Sequence, residues 1–385
     1  MQADFHYYAT YCAAYLAGYS HEEALELCYS DQFVDCCTKT FLKSINATVH
    51  AATSQSQAEL VDLRSDILSI QEITRIWASF HFLPKDLFAK VPHSTKTYRN
   101  KYRLICGPNG PLVKDTVELA KGRSIQAAGI AMHVLSDTWA HMNYAGTPTL
   151  AINYTGDNFY EFLPTGQMRK LSWKHTPGAT DDIGKGVFNA TVFNTSEYNI
   201  LNLGHGHSGH LPDYSFMKYK YMPAWDNYRE FLKDNPSDYR KAFCQMVYAL
   251  RYLRGDIPSF ELDTYDEATV DPYMGKIILI LTRRHMDASA DWNRLAKELS
   301  GQKLPDFDIS TYVEEYKKAS AEEKDNTFLG KFILAALSQK SMVTNKIYTS
   351  GNLIAGISID YNTSGFAGIK DYLMLVKESV KNANE

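Results

Sequence analysis

A chain of 385 residues, 45% hydrophobic and 22% charged, is long enough for one large domain or two smaller ones with a well-formed core. A formal net charge of −4 gives no overall field favouring nucleic acid or an anionic membrane. No window approaches the ~20 apolar residues that span a bilayer. The six cysteines form no C-x-x-C pair, which points to free thiols in a reducing compartment.

The opening MQADFHYYAT has neither a basic n-region nor a long apolar h-region, so the expectation is a cytoplasmic protein without stable membrane insertion. Residues 4–37 then read as a helical hairpin. Gly18 stands where a C-cap belongs, and Ser20 with Glu23 forms an S-x-x-E capping box that opens the second helix. At 1.5 Å per residue, His6 lies about 16 Å before the turn and Asp35 about 21 Å after it, near the same end of the pair. Residues 57–82 predict a helix that Pro84 stops just beyond His81. The segment 84–112, with CGPNGP, reads as loop or short hairpin. Residues 113–142 read as one helix, amphipathic at first and then apolar nearly all round, which makes it central to the fold.

From 146 to 235 Gly, Asn, Thr, Tyr and Pro rise and helical periodicity vanishes, with LAINY and ATVFN as candidate short strands. A long irregular stretch inside a compact protein is usually functional. From 236 on helices return, at DYRKAFCQMVYALRYLRG (238–255), 271–300, 308–345 and near 366–382. The expected fold is mainly α: a multi-helix bundle with a central buried helix, the irregular insertion and C-terminal helices. Residues 1–235 would be a metal-binding core with an active-site loop at 146–235, and 236–385 would pack on it as one domain.

The stretch GIAMHVLSDTWAHMNYAG (129–146) places His133, Asp137 and His141 four residues apart on one helical stripe. Neighbours rise about 6 Å and can share an ion, while the outer pair, about 12 Å apart, cannot. The economical arrangement has Asp137 bridging two cations with a histidine on each side, and a buried Asp needs a partner or a cation in any case. Imidazole with carboxylate suits zinc or another first-row divalent metal. A second cluster, LGHGHSGHLPD (203–213), offers His210 with Asp213 as the better-placed pair and either His205 or His207 as a further ligand. Its glycines let the backbone wrap closely around an ion. The hairpin end adds His6 and Asp35, with Asp4 beside His6, and His81 closes its own helix. Taken singly, His6 is an ordinary exposed residue, His81 a packed one and the His-rich loop a flexible one; together they supply the ligands of a two- or three-metal site.

The order of these groups resembles the zinc-dependent phospholipase C and single-strand nuclease superfamily. It runs an early His, an Asp, a His, H-x-x-x-D on a central helix, a further His, then a late His and carboxylate. Members are all-helical enzymes with three zinc ions in a cleft. The resemblance implies that Asp137 bridges, that Asp35 and His81 complete one metal with His133, that His6 sits on a second, and that His141, His210 and Asp213 hold the third. MQADFHYY, HVLSDTWAH and GHGHSGHLPD together also resemble an uncharacterised microbial family over roughly residues 1–230.

Two departures shape the expectation. The superfamily uses the free amine of a Trp exposed by processing. This chain starts with Met and shows no leader, so that ligand is expected to be missing, with Asp4 in its place. The closing pair is H-x-x-D rather than H-x-x-x-D, which keeps two ions open beside three. The implied function is a metal-dependent hydrolase of phosphate esters, acting on a phospholipid or a nucleic acid or nucleotide. Metal-bound hydroxide would be the nucleophile and Asp35 would orient or deprotonate the water. Tyr154, Tyr160, Trp173 and Tyr214 would form a substrate wall. Two other readings stay open at this point: a metal-dependent amide or nucleotide hydrolase of HD type, and a non-catalytic, metal-stabilised interaction protein.

Overall fold

The computed structural model describes residues 1–61, 67–176, 178–192 and 194–356, and the helix expected at 366–382 lies outside them. The chain opens in a π-helical turn, Asp4–Ala9, that runs straight into α1 (Thr10–Leu16). Gly18, at φ +92°, turns the chain, and the expected capping box opens α2 (His21–Cys36). Ser20 Oγ accepts from Glu23 N at 3.2 Å, and Glu23 Oε2 accepts from Ser20 N at 2.8 Å. Two short helices, α3 (Lys39–Ser44) and α4 (Gln57–Val61), lead to α5 (Ile67–Phe80), which ends one residue before His81.

Several expected boundaries move, each for a local reason. Within 84–112 Thr95 caps a short helix, α6 (Lys96–Tyr102). The single helix expected over 113–142 is two, α7 (Pro111–Ala120) and α8 (Ile125–Ala140), because Gly122 at φ +69° diverts the backbone and Ser124 caps afresh. LAINY makes one helical turn, α9 (Leu150–Asn153), and residues 190–192 join no strand.

The strands are elsewhere in the insertion: β1 (Tyr160–Phe162), β2 (Met168–Lys170), β3 (Ser172–Lys174), β4 (Val187–Asn189), β5 (Lys218–Tyr221) and β6 (Phe231–Asp234). Four form an antiparallel sheet in the order β2-β1-β5-β6, with Tyr160 opposite Lys170 on one side and Lys220 on the other. β3 and β4 pair in parallel. The insertion buries an aromatic core of its own around Phe159, Phe188, Tyr214, Tyr219 and Tyr221.

β6 passes directly into α10 (Asn235–Arg254), whose cap is Asp234. There follow α11 (Glu267–Thr282), α12 (Ser289–Ser300), α13 (Val313–Lys318) and α14 (Phe328–Thr349), so the expected helices at 271–300 and 308–345 are each interrupted. The architecture is mainly α. Every α8 residue from Gln126 to Ala140 is buried, with α2, α7, α10 and α14 packed around the helix. The later helices also close over the opening segment. Phe5 meets Tyr239 and Trp292 edge-on at 5.0 and 6.0 Å, and Phe243 stacks on Trp292 at 5.5 Å. None of the six cysteines is in a disulfide. Among the described residues no helix is long and apolar enough to cross a membrane.

Candidate metal centre

The pocket begins with a close helix crossing. Gly129 of α8 lies so near α2 that a Cβ there would stand 2.5 Å from Leu27 O and 2.5 Å from Ser30 Cβ. That approach sets Asp31 and Asp35, one turn apart on α2, against His133 and Asp137, one turn apart on α8. His141 caps the C-terminus of α8, His81 follows α5, and His6 sits in the opening π-helical turn, a form frequent at functional sites.

Three groups of potential ligand atoms result, each within 4.8 Å of one another: Asp35, His81 and His133; His141, His205 and Asp213; and His6, Asp31 and His133. Asp137 lies at the junction. Its Oδ2 is 3.3 Å from His81 Nδ1, 3.3 Å from His133 Nε2 and 3.5 Å from His141 Nδ1. Its Oδ1 is 3.2 Å from His6 Nε2 and 2.7 Å from the Met1 α-amine. Asp35 Oδ1 stands 3.7 Å from His81 and 3.8 Å from His133. On the other side, Asp213 Oδ1 is 3.1 Å from His141 Nε2, and Oδ2 is 3.7 Å from His205 Nε2.

The outward nitrogens explain how the rings are aimed. His81 Nε2 faces Thr53 O at 2.9 Å, His133 Nδ1 faces Asp31 O at 3.0 Å, His141 Nδ1 faces His81 O at 2.8 Å and His205 Nδ1 faces Gly209 O at 2.7 Å. A carbonyl oxygen can only accept, so each of these nitrogens carries the ring proton. In the neutral rings the other nitrogen is then a lone pair, and all four stand 3.1–3.7 Å from a carboxylate oxygen of Asp137 or Asp213. Lone pairs held against carboxylates repel unless a cation lies between them, be it an extra ring proton, an amine or a metal ion. Outward hydrogen bonds of this kind are how proteins orient metal-ligating histidines. His6 differs: both its ring nitrogens are buried and neither makes a directed hydrogen bond, although Asp31 Oδ1 is 2.8 Å from Nδ1.

The electrostatics follow the same pattern. Burial opposes ionisation of Asp137 and Asp213, yet surrounding positive groups hold both well below the usual carboxylate range. His141, the Met1 amine, His133 and His6 act on Asp137, and His205, the amine, His141 and His210 on Asp213. Burial opposes protonation of His133, and Asp137 with Asp35 overcomes it, raising the ring to about 10. Burial dominates at His205, which falls to about 4, and it lowers His81. The Met1 amine rises to about 11 because Asp137, Asp213 and Asp35 outweigh its burial.

Of the residues singled out in the sequence, His6, Asp35, His81, His133, Asp137, His141, His205 and Asp213 converge here. Asp4 does not. Its carboxylate turns away and accepts from Ala288 N at 3.0 Å. The Met1 α-amine also lies here, 3.2 Å from His141 Nε2 and 3.5 Å from Asp213. His207 points elsewhere, with Nε2 on Asn202 Oδ1 at 3.0 Å. Between the remaining loop histidines, His205 occupies the group with His141. His210 reaches only the outer edge of Asp213, 3.2 Å away, with 59% of its side chain exposed. Gly209, at φ +51°, makes the turn that separates them. Asp31 was not anticipated, and its only sequence signal is its place one turn before Asp35. Tyr214 and Trp173 belong to the insertion's packing rather than to an open wall: Tyr214 donates to Asp181 at 2.7 Å, and the Trp173 ring meets Phe159 edge-on.

The chain belongs to a family described as a family of unknown function, DUF6765, whose model matches residues 1–347. No curated protein and no solved structure matches it.

Proposed function

We propose that this member of a family of unknown function is a metal-dependent hydrolase of phosphate esters, holding two or three zinc-like divalent cations. One observation carries the reading: carbonyl-oriented imidazoles and the carboxylates of Asp35, Asp137 and Asp213 converge on one pocket. Asp35, His81, His133 and Asp137 would hold one ion, and His141, His205 and Asp213 another. His6, Asp137 and the Met1 amine form the remaining candidate set.

Such cations, when bound, supply Lewis acidity that lowers the pKa of a water and offsets charge on a phosphoryl oxygen. The protein's own groups do the rest. Asp137 joins the centres. Asp35, with 32% of its side chain exposed, is the carboxylate at the open edge, placed to orient a water or take its proton. His210, at the opposite rim, can donate to an anionic substrate oxygen. Phosphate esters are the proposed substrates because the ligand order resembles that of the phospholipase C and nuclease superfamily, and phospholipid and nucleotide esters are the two classes to compare.

Elemental analysis of the purified protein, paired with hydrolysis of bis-p-nitrophenyl phosphate, tests the proposal. Two to three zinc equivalents, with turnover abolished in Asp137→Ala, are expected. A fully folded protein that takes up no divalent metal would overturn it.

A further inference from the structure

Asp31 is fully buried, lies outside the set just assigned to the ions, and contacts His6, His133 and Thr10. Its Oδ1 accepts from His133 Nδ1 at 3.1 Å and lies 2.8 Å from His6 Nδ1. Its Oδ2 accepts from Thr10 Oγ1 at 2.7 Å, which fixes the carboxylate to α1. The two rings it joins are stacked, with centroids 3.9 Å apart and planes inclined by 18°. Both face Asp137 with the opposite nitrogen, Nε2, at 3.2 and 3.3 Å.

We infer that Asp31 is a positioning residue: it gathers the Nδ1 edges of His6 and His133 so that both Nε2 atoms are presented to the pocket. The inference rests on the metal reading above and decides between two roles for this carboxylate. As a ligand beside His133, Asp31 would have to share an ion with the Nδ1 it faces. That nitrogen is already committed to two Asp31 oxygens as a donor, the main-chain O at 3.0 Å and Oδ1 at 3.1 Å. A nitrogen carrying a proton has no lone pair for a metal. The ligand-competent atom of His133 is therefore Nε2, on the far side of the ring, and Asp31 stands behind it. His133 keeps a carbonyl partner if the carboxylate is lost. Among the described residues His6 Nδ1 has no directed hydrogen bond and lies 2.8 Å from Asp31 Oδ1, so His6 depends on that carboxylate more. A carboxylate behind a ligating imidazole also raises the ring's basicity, and losing such a partner typically weakens metal affinity 10–100-fold.

The test is Asp31→Asn beside Asp35→Asn, read by zinc stoichiometry, by zinc affinity in competition with a chromophoric chelator, and by the downfield ring N–H resonances of the zinc-loaded, histidine-labelled protein. Asp31→Asn should fill with as many ions as the wild type at saturating zinc, bind them about 10–100-fold more weakly, and shift or lose the His6 ring N–H signal. Asp35→Asn should lose an ion outright. Should Asp31→Asn fold poorly, Thr10→Val, which removes the anchor on Oδ2 together with a longer contact to Phe5 O at 3.3 Å, should weaken zinc binding severalfold with unchanged stoichiometry. An ion lost in Asp31→Asn would make Asp31 a ligand, and unchanged affinity and ring signals in both variants would make it a bystander; either overturns the inference while leaving the metal reading standing. A wild type that binds no zinc overturns both.

Discussion

Gly129→Ala is the sharpest perturbation the structure offers, because the same substitution elsewhere in the chain should have the opposite sign. In an unobstructed helix interior, replacing Gly with Ala stabilises by about 1 kcal/mol. Gly275, inside α11, is such a place, with nothing within 4 Å of an added Cβ. Gly129 is not. Its Cβ would meet Leu27 O and Ser30 Cβ at 2.5 Å and Asp31 N at 3.0 Å. Two of these three atoms are backbone, so relief requires α2 and α8 to part by roughly 1 Å to reach ordinary contact. Overpacking of this kind costs about 1–3 kcal/mol, against a propensity gain of about 1, leaving Gly129→Ala less stable by up to about 2 kcal/mol. The same parting would carry His133 Nδ1 away from Asp31, now 3.0 and 3.1 Å distant, beyond hydrogen-bond range. Urea unfolding midpoints of the two alanine variants, together with zinc competition, provide the assay. Gly275→Ala should gain stability with unchanged zinc affinity, whereas Gly129→Ala should lose both. A Gly129→Ala protein as stable as the wild type, binding zinc equally well, would refute the close-crossing argument.

Other outcomes follow from single contacts. Asp4→Asn should leave zinc stoichiometry unchanged and cost at most about 1 kcal/mol, since its carboxylate bonds a main-chain amide; loss of an ion would return Asp4 to the ligand set. Trp292→Ala should cost about 3–5 kcal/mol in urea unfolding, because the ring is almost fully buried between Phe5 and Phe243; a loss under 1 kcal/mol would show that the C-terminal helices contribute little to that core. At Asp266 burial raises the carboxyl's pKa, but the Thr269 amide and Arg251 outweigh it and hold the group below its usual value. A depressed carboxylate stabilises above its unfolded pKa and loses that contribution as pH falls through the folded one. Asp266→Ala should therefore cost about 1 kcal/mol at neutral pH, with the gap from wild type narrowing below about pH 4. A gap that is constant with pH would remove the ionic part of that explanation.

The sequence made the α8 stripe readable because helical spacing is local: His133, Asp137 and His141 need only a continuous helix to share a face. The hairpin was half readable. The rise that puts His6 about 16 Å before the turn puts Asp35 about 21 Å after it, and one turn less, about 15 Å, is the level of Asp31. The same arithmetic thus levels His6 with Asp31 and leaves Asp35 a turn beyond, facing His81. Spacing puts His210 ahead of His205 and His207, whereas His205 is the one grouped with His141 and Asp213, since Gly204 and Gly209, at φ +55° and +51°, turn the backbone in ways that spacing does not encode. The Met1 amine falls outside the expectation for a different reason: the resemblance asks for the amine of a Trp freed by processing, and the residue at this position is Met.

The histidines are aimed largely by main-chain oxygens, those of Thr53, Asp31, His81 and Gly209. A peptide oxygen persists whatever side chain its residue bears, so substitutions at Thr53 that keep the backbone path leave the aiming of His81 intact, whereas Gly209, at φ +51° with the main-chain oxygen of Asn189 in the way of an added Cβ, is held to glycine. Comparison of related chains would then register His81 as fixed while Thr53 drifts, and the pocket can tolerate that drift at little cost. Asp31 is the exception, because there the steering group is also a side chain.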